Sequence, residues 1–351
     1  MRHHPHVKRV LRALGYRKPA PRWVVPQEQP VDPEPVADFE LFAIVNTWME
    51  ADVIGASVHN AFAQGCERVL LVDNESPDDT VAEAIGAGAE LARSYSTSGL
   101  DEARKIHLLN ETVAEVSAAD GRDHVWWLWI DADEFVHGPG GRTVRDLLTT
   151  LDRRFRIVGS RYFNHFPDRS PGSLPGFHPL DLQPRGEENP APRCPLGHRK
   201  HHLQRWDRSG PPITCRVGFH VATAPILLSE PKMATFTHHF PYRLEEHTRA
   251  RFDALCRRDE EGRSRVTEYD AQVSRNVGTL SDMSKRYRTI DHVYAGEWDH
   301  VENVRRRGNP FGVRPRPWEE LVSADDARFR RWYAPEDLAA ATAEWRAMSG
   351  P

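Results

Sequence analysis

Two groups of carboxylates stand at the ends of apolar runs, with residue types and spacing suited to holding a phosphate or a cation. The run HVWWLWID (124–131) closes on Asp131-Ala132-Asp133-Glu134. The run RVLLVD (68–73) closes on Asp73, followed by Asn74-Glu75-Ser76-Pro77-Asp78-Asp79-Thr80. Carboxylates at alternating positions off a strand end can approach one hard divalent cation. Magnesium and manganese take one or two such carboxylates while substrate phosphates fill other positions. Asp131 and Asp133 are therefore candidate ligands of a cation that carries a diphosphate. The bland alternative is a strand-end turn with solvated acids. Asp73 ends its strand directly, where a carboxylate can accept from a base N–H or a ribose hydroxyl, but the same Asp-Asn-x-Ser-x-Asp string also makes good turns and helix caps.

Such residues need a sheet to position them. FELFAIV (39–45), RVLLVD and HVWWLWID are near-continuous apolar runs, the pattern of strands buried on both faces of a parallel sheet. The sequence predicts a helix over 50–65, ended by Gly65, another after Asp79 and Thr80, and a third over 101–118. Strand and helix alternate, so a doubly wound α/β sheet is expected. Ligands of open α/β sheets bind beyond the carboxyl ends of the strands, where both acidic groups fall. Beyond about residue 165 the texture changes. Residues 167–198 are rich in Pro, Gly and His and read as one long loop. HHLQRW (201–206), GFHVAT (218–223) and ATFTHHF (234–240) are short strand candidates, followed by a charged helix over 243–261. The expected division is a basic helix and Pro-rich linker (1–38), a ligand-binding α/β half (39–165), a loop-rich region completing the site (166–262), and a helical C-terminal region (263–351).

An early strand followed by TWMEADVI, a strand ending DNxSxDxT and a later strand ending IDADEF together resemble the family-2 glycosyltransferases. The likeness is greatest to the branch with "vDN-S-D-T" and "W-DaDEf" signatures. It covers residues 39–165, and HHFPYR (238–243) more faintly. The resemblance implies a GT-A-like doubly wound mixed sheet flanked by helices, with a loop-rich acceptor region and C-terminal helices. It further implies metal-dependent transfer of a sugar, with inversion, from a nucleoside-diphosphate sugar to an acceptor hydroxyl. On that resemblance Asp73 contacts the base or ribose with Asn74 beside it, and Glu50 lies near the nucleotide. Asp131 approaches the ribose or the metal, and Asp133 ligates Mn2+ or Mg2+. Glu134 orients these groups or faces the acceptor. A later histidine often joins such a metal shell, and His220 and His239 are the candidates. Lys200 and Arg243 would neutralise charge on the departing diphosphate. Arg243 reads equally as an ion-pair partner. Asn74 and Glu75 replace the middle of the wider family's DDGS-type motif, which leaves the nucleotide open. No later Glu-Asp pair marks the catalytic base, for which Asp168, Asp181, Glu187 and Glu188 are candidates.

A net charge of −4 argues against a nucleic-acid binder. Cys66, Cys194, Cys215 and Cys256 lie far apart with no CxxC pair, which speaks against a disulfide framework and for a reducing, cytoplasmic setting. No apolar stretch approaches the ~20 residues that span a bilayer. Residues 1–18 place Val7, Val10, Leu11 and Leu14 at helical spacing among basic residues. That pattern suits a helix docked on the protein, or peripheral contact with the inner membrane face. The acceptor is then a polysaccharide, a lipid-linked sugar or a small natural product. Two rivals share the acidic strand ends: a nucleotidyltransferase acting on a sugar phosphate, and a non-catalytic nucleotide-sugar-binding protein. IVNTWMEAD (44–52) lacks the glycines and lysine of the first rival's phosphate loop.

Overall fold

Every second residue of the buried strands must meet a different layer, because successive side chains of a strand point to opposite faces. A computed structural model describes residues 24–97, 102–167, 179–188, 200–215, 222–265, 280–301 and 312–327. In chain order it contains β1 (Val24–Gln27), β2 (Glu40–Thr47), α1 (Ile54–Ala63), β3 (Arg68–Asp73), α2 (Thr80–Gly86), β4 (Glu90–Ser94) and α3 (Glu102–Asp120). Next come β5 (His124–Asp131), β6 (Glu134–His137), α4 (Val144–Leu148), β7 (Ile157–His165), α5 (Pro179–Leu182), β8 (Arg185–Glu188) and β9 (Lys200–Asp207). The remainder is β10 (Thr214–Cys215), β11 (Ala222–Thr223), β12 (Leu228–Pro231), β13 (Thr235–His239), α6 (Glu245–Arg265), α7 (Leu280–Ala295) and β14 (Arg316–Pro317).

The alternation is realised on both faces. Leu41, Ala43, Val45, Trp126, Leu128 and Ile130 pack with Ile54, Val58 and Ala61 of α1 and with Leu147 and Leu148 of α4. Phe42, Ile44, Leu70, Val72, Trp127 and Trp129 face the other way, onto Leu109 and Val113 of α3. Each such side chain contributes about 1.5–3 kcal/mol on burial. Trp127 also satisfies its ring N–H, donating to Ser117 Oγ at 2.8 Å. Helices on both faces make the sheet doubly wound, as expected. Gly65 ends α1 in the left-handed region at φ 93°, and Cys66 N–H donates back to Ala61 O at 3.1 Å, the Schellman closure that glycine permits.

The main sheet is mixed and runs in the order β14-β8-β7-β9-β5-β2-β3-β4, with β13 pairing β7 and β6. β2, β3, β4 and β5 are parallel, while β9 enters antiparallel between β5 and β7. The sheet therefore continues well past residue 165. Two short elements, α5 and β8, lie in the stretch read as structureless. β8 is set by pairing with Phe163–His165 of β7, a long-range partner that periodicity does not reveal. α6 confirms the charged helix. Residues 1–18, most of GFHVAT and the final helix-and-turn region from 328 onward lie outside the described residues. No helix among the described residues is long and apolar enough to cross a membrane. Cys66, Cys215 and Cys256 are not joined to one another by a disulfide.

Candidate active site

The two acidic strand ends flank β2. Parallel register sets Thr47 opposite Asp73 and Asn46 opposite Asp131, so β3 and β5 deliver their aspartates to one edge of the sheet. The chain turns sharply beyond these ends. Met49 and Glu75, neither a glycine, sit at φ 55° and 49°, each at a cost of about 1–3 kcal/mol. A hydrogen-bonded scaffold holds both. Asp73 accepts from Ser76 N–H at 2.9 Å and from Ser76 Oγ at 2.6 Å. Ser76 Oγ in turn accepts from Met49 N–H at 3.0 Å, and Thr80 Oγ1 accepts from Glu50 N–H at 2.8 Å. The DNxSxDxT string thus ties the loop after β3 to the loop after β2. Asp73 is buried, and its carboxylate closes this turn instead of facing a ligand, which corrects the expected base or ribose contact. Its neighbour Asn74 lines the cleft.

That cleft has a volume of about 430 Å³ and is bordered by the ends of β2, β3 and β5, by His239 of β13 and by α6. Asp131, Asp133 and Glu50 bring carboxylates to it, Lys105, Arg251 and Arg258 bring cations, and Trp48, Tyr95 and Tyr242 bring aromatic faces. Asp131 is the most accessible acid, with a 28% exposed side chain and Lys105 Nζ 3.4 Å away. Asp133 lies in the turn between β5 and β6. Its Oδ2 is 3.5 Å from His239 Nε2 and 3.7 Å from Arg243 Nη1. Burial alone would raise it, but His239, Arg251 and Arg243 hold the carboxyl well below its ordinary range. His239 Nδ1 is 2.8 Å from Asn164 Oδ1. An amide oxygen only accepts, so Nδ1 donates to it and Nε2 is the ring atom turned toward Asp133. Nε2 and the carboxylate can share a proton or hold a cation between them.

The residue chemistry fits a manganese or magnesium ion at this point. A hard carboxylate oxygen and an imidazole nitrogen suit manganese especially. Among the described residues no three His, Cys, Asp or Glu side chains converge as a ready-made metal cluster. Asp133 and His239 would thus be a partial shell, completed by phosphate and water.

Three expected site residues instead lie behind the cleft wall. Glu134 is 1% exposed. It accepts from Tyr162 Oη at 2.9 Å and from Asp131 N–H at 3.4 Å, and pairs with Lys200. Against the cost of burial, Lys200, His202 and His239 hold its carboxyl at about 2. It braces the Asp131–Glu134 turn and faces no acceptor. Lys200 is equally buried, its ammonium 4.6 Å from the Tyr162 ring centre, so it is the counter-ion of Glu134 and not a diphosphate clamp. Arg243 spends its guanidinium on Asp52 at 2.7 and 3.0 Å, on Phe240 O at 2.9 Å and on Glu50. The ion-pair alternative is the one realised. Glu50 does line the cleft, bonded to Arg243 and Arg251, and burial pushes it up to about 8.

Of the candidate bases, Glu187 and Glu188 lie on β8 and not on the cleft, and Glu188 is bound by Arg161 at 2.9 and 3.0 Å. Asp181, on α5, is pushed up to about 7 by burial and is also off the cleft. Asp168 and His220 lie outside the described residues. The cleft cations were missed by sequence reasoning, though a signal existed. Thr248, Arg251, Phe252, Leu255 and Arg258 all line the cleft at i, i+3, i+4, i+7 and i+10, one face of α6. Arg258 is fixed by Thr97 O at 2.6 Å and Asn74 Oδ1 at 3.0 Å, and lies 5.2 Å over Trp48.

No protein-family model matches the chain, and no curated protein matches it. Among solved structures it is similar to glucosyl-3-phosphoglycerate synthase from Mycobacterium tuberculosis in complex with Mg2+ and uridine diphosphate. That match has 20% identity, covers 35% of this chain and 43% of the other, and has a TM-score of 0.23. The same enzyme with Mn2+, uridine diphosphate and glucosyl-3-phosphoglycerate matches at 17% identity over 63% and 80%, with a TM-score of 0.29. Mannosyl-3-phosphoglycerate synthase from Rubrobacter xylanophilus matches at 17% over 65% and 76%, with a TM-score of 0.28. The chain spans under half the length of the first of these structures.

Proposed function

We propose that this chain is a GT-A-type glycosyltransferase that uses a nucleoside-diphosphate sugar and a divalent cation, Mn2+ or Mg2+. The observation that carries the reading is Asp133 facing His239 Nε2 across 3.5 Å, at the edge of a cleft lined by Lys105, Arg251 and Arg258. Asp133 and His239 would hold the cation, with Asp131 beside them. When bound, it supplies positive charge to the departing diphosphate. Arg251 and Arg258 add further charge from α6, and preorganised charge of this kind is usually the largest catalytic contribution. Trp48, under the Arg258 guanidinium, offers a flat face for a nucleobase, and Asn74 offers an amide. Asp131, the most exposed carboxylate of the cleft, would meet the ribose or a water on the cation. The aromatic and aliphatic side chains of α6 exclude water from this wall, which protects an activated donor from hydrolysis.

The test is thermal stability with UDP, GDP and dTDP, each with and without manganese. One diphosphate should raise the melting temperature only with the cation, by several degrees at about 100 times its Kd, where binding adds about 2.7 kcal/mol. Asp133→Ala should fold and lose that metal-coupled response. The reading fails if no diphosphate stabilises the protein, or if Asp133→Ala responds like the wild type. Release of pyrophosphate from a nucleoside triphosphate would assign the cleft to a nucleotidyltransferase.

A further inference from the structure

Glu50 lies in the loop after β2, and its backbone is bonded at both polar groups. Its N–H donates to Thr80 Oγ1 at 2.8 Å, and its carbonyl accepts from the N–H groups of Val53 and Ile54 at 3.0 and 2.9 Å, where α1 begins. The residue before it is held as well: Met49 N–H donates to Ser76 Oγ at 3.0 Å, and Met49 O lies 3.2 Å from His247 Nε2. From this fixed base the side chain, 3% exposed, gives one carboxylate oxygen to each of two arginines. The two differ in setting. Arg243 takes Oε2; it is 2% exposed and is secured besides by Asp52 and Phe240 O. Arg251 takes Oε1; it stands on the cleft-lining face of α6 with a 31% exposed side chain, and among the described residues it is ion-paired with Glu50 alone. Its charge also helps to hold the Asp133 carboxyl low, so the guanidinium is within electrostatic reach of Glu50 and of Asp133 together.

We propose that Glu50 is a positioning residue that aims the Arg251 guanidinium at the diphosphate, with Arg243 as the buried anchor that fixes Glu50. This rests on the reading of the cleft as a nucleoside-diphosphate site. An arginine at the mouth of a cleft has many rotamers, and ordering it when a ligand arrives costs free energy that a guanidinium already held in place does not lose again. Arg251 gives Glu50 one edge of its fork and keeps its other N–H groups for phosphate oxygens, which accept in the same geometry. The arrangement also answers an electrostatic objection. A bare carboxylate would repel a diphosphate, whereas one enclosed by two guanidiniums leaves the pair of arginines in excess by one positive charge.

A double-mutant cycle on nucleotide affinity tests this. The full chain is titrated calorimetrically with UDP, GDP and dTDP in the presence of Mg2+, at about pH 9, above the value of about 8 to which burial pushes Glu50, so that its carboxylate is ionised. Arg251→Gln should weaken the diphosphate that binds by about tenfold, the scale of one charge-assisted hydrogen bond. Glu50→Gln should weaken it about as much, although it removes a negative charge from an anion site. Added to Arg251→Gln, it should cost less than about twofold more, because the two residues act as one unit. Glu50→Asp keeps the charge that Arg243 needs and shortens the reach to Arg251, and it carries the same cycle if Glu50→Gln does not fold. A merely structural Glu50 would cost the same factor with Arg251 or without it. That additive result, tighter binding by Glu50→Gln, or an unchanged affinity in Arg251→Gln overturns the proposal and leaves the nucleotide reading standing. A wild-type chain that binds no diphosphate removes that reading and the proposal together.

Discussion

Glu134→Gln isolates the bracing of the Asp131–Glu134 turn, because it removes one charge and keeps the shape. Glu134 is 1% and Lys200 6% exposed, so the variant leaves a buried ammonium without its counter-charge. Removing one partner of a buried pair costs about 3–5 kcal/mol. At about 2–4 °C per kcal/mol for larger domains, melting should fall by about 10 °C. The second variant tests the cause. Glu134→Gln/Lys200→Met removes the stranded charge as well, and replacing a whole buried pair by apolar groups is often neutral, so it should recover more than half of the loss. Urea unfolding followed by tryptophan fluorescence reads both, since Trp126, Trp127 and Trp129 lie buried in the strand that leads to the turn. Because the folded carboxyl sits near 2, below its ordinary 4.5, its contribution is complete above pH 4.5 and is lost as pH falls toward 2. A loss of under about 1 kcal/mol for the single variant, against the 3–5 expected, would refute the bracing role. A double variant whose loss equals the sum of the singles would do the same.

Acid should weaken the packing around three buried histidines. Glu50 and Asp181 contribute in the opposite direction, since their raised carboxyls favour the folded state as pH falls below about 8 and 7. Burial pushes His137, His165 and His202 down to about 4, 3 and 4, so the unfolded chain takes up their protons first. The histidine contribution is full above pH 6.5 and should decline as pH falls toward 4; urea midpoints of Glu50→Gln/Asp181→Asn, which lacks the two opposing carboxyls, check it across that range, and a flat profile would contradict it. Arg258→Gln should lower the melting temperature of the free protein by a few degrees, since it loses the bonds to Thr97 and Asn74, and weaken nucleotide binding about tenfold, the scale of one charge-assisted hydrogen bond. Calorimetric titration with the diphosphate that stabilises the protein measures this, and an unchanged Kd would remove Arg258 from the nucleotide site.

The fold was legible where burial is two-sided. β3 and β5 match their predicted bounds because a continuous apolar run between turn residues allows only a central strand. β4, ELARS, was not legible: it is an exposed edge strand with no apolar period, defined by its partner β3. β6 and β7 were hidden for a related reason. Their pairing with β13 joins residues about a hundred and about seventy-five positions apart, respectively. Sequence patterns located two of the loops that border the cleft but not which atoms face outward. Lys200 and Arg243 carry charge that composition assigns to solvent or ligand, and only the packing shows each one enclosed by carboxylates.

The division of labour between the two acidic strand ends follows from their turns. A carboxylate at the end of a parallel strand meets the N–H groups of the reversing chain first. Asp73 is followed at the third position by Ser76, whose N–H and hydroxyl both donate to it, so its acceptors are used locally. Asp133 sits inside a two-residue turn, and cationic or imidazole groups are its neighbours instead: His239 and Arg243. Register decides which histidine that is. β13 sets His239 opposite Glu134 on one side and Asn164 on the other, while His238 points the opposite way, to His137 and His165. A slip of one residue would exchange the two faces, burying the imidazole that now meets Asp133 and leaving His137 and His165 without their central partner. The pairing of β13 with both β6 and β7 therefore sets the geometry of the site as much as the aspartates do.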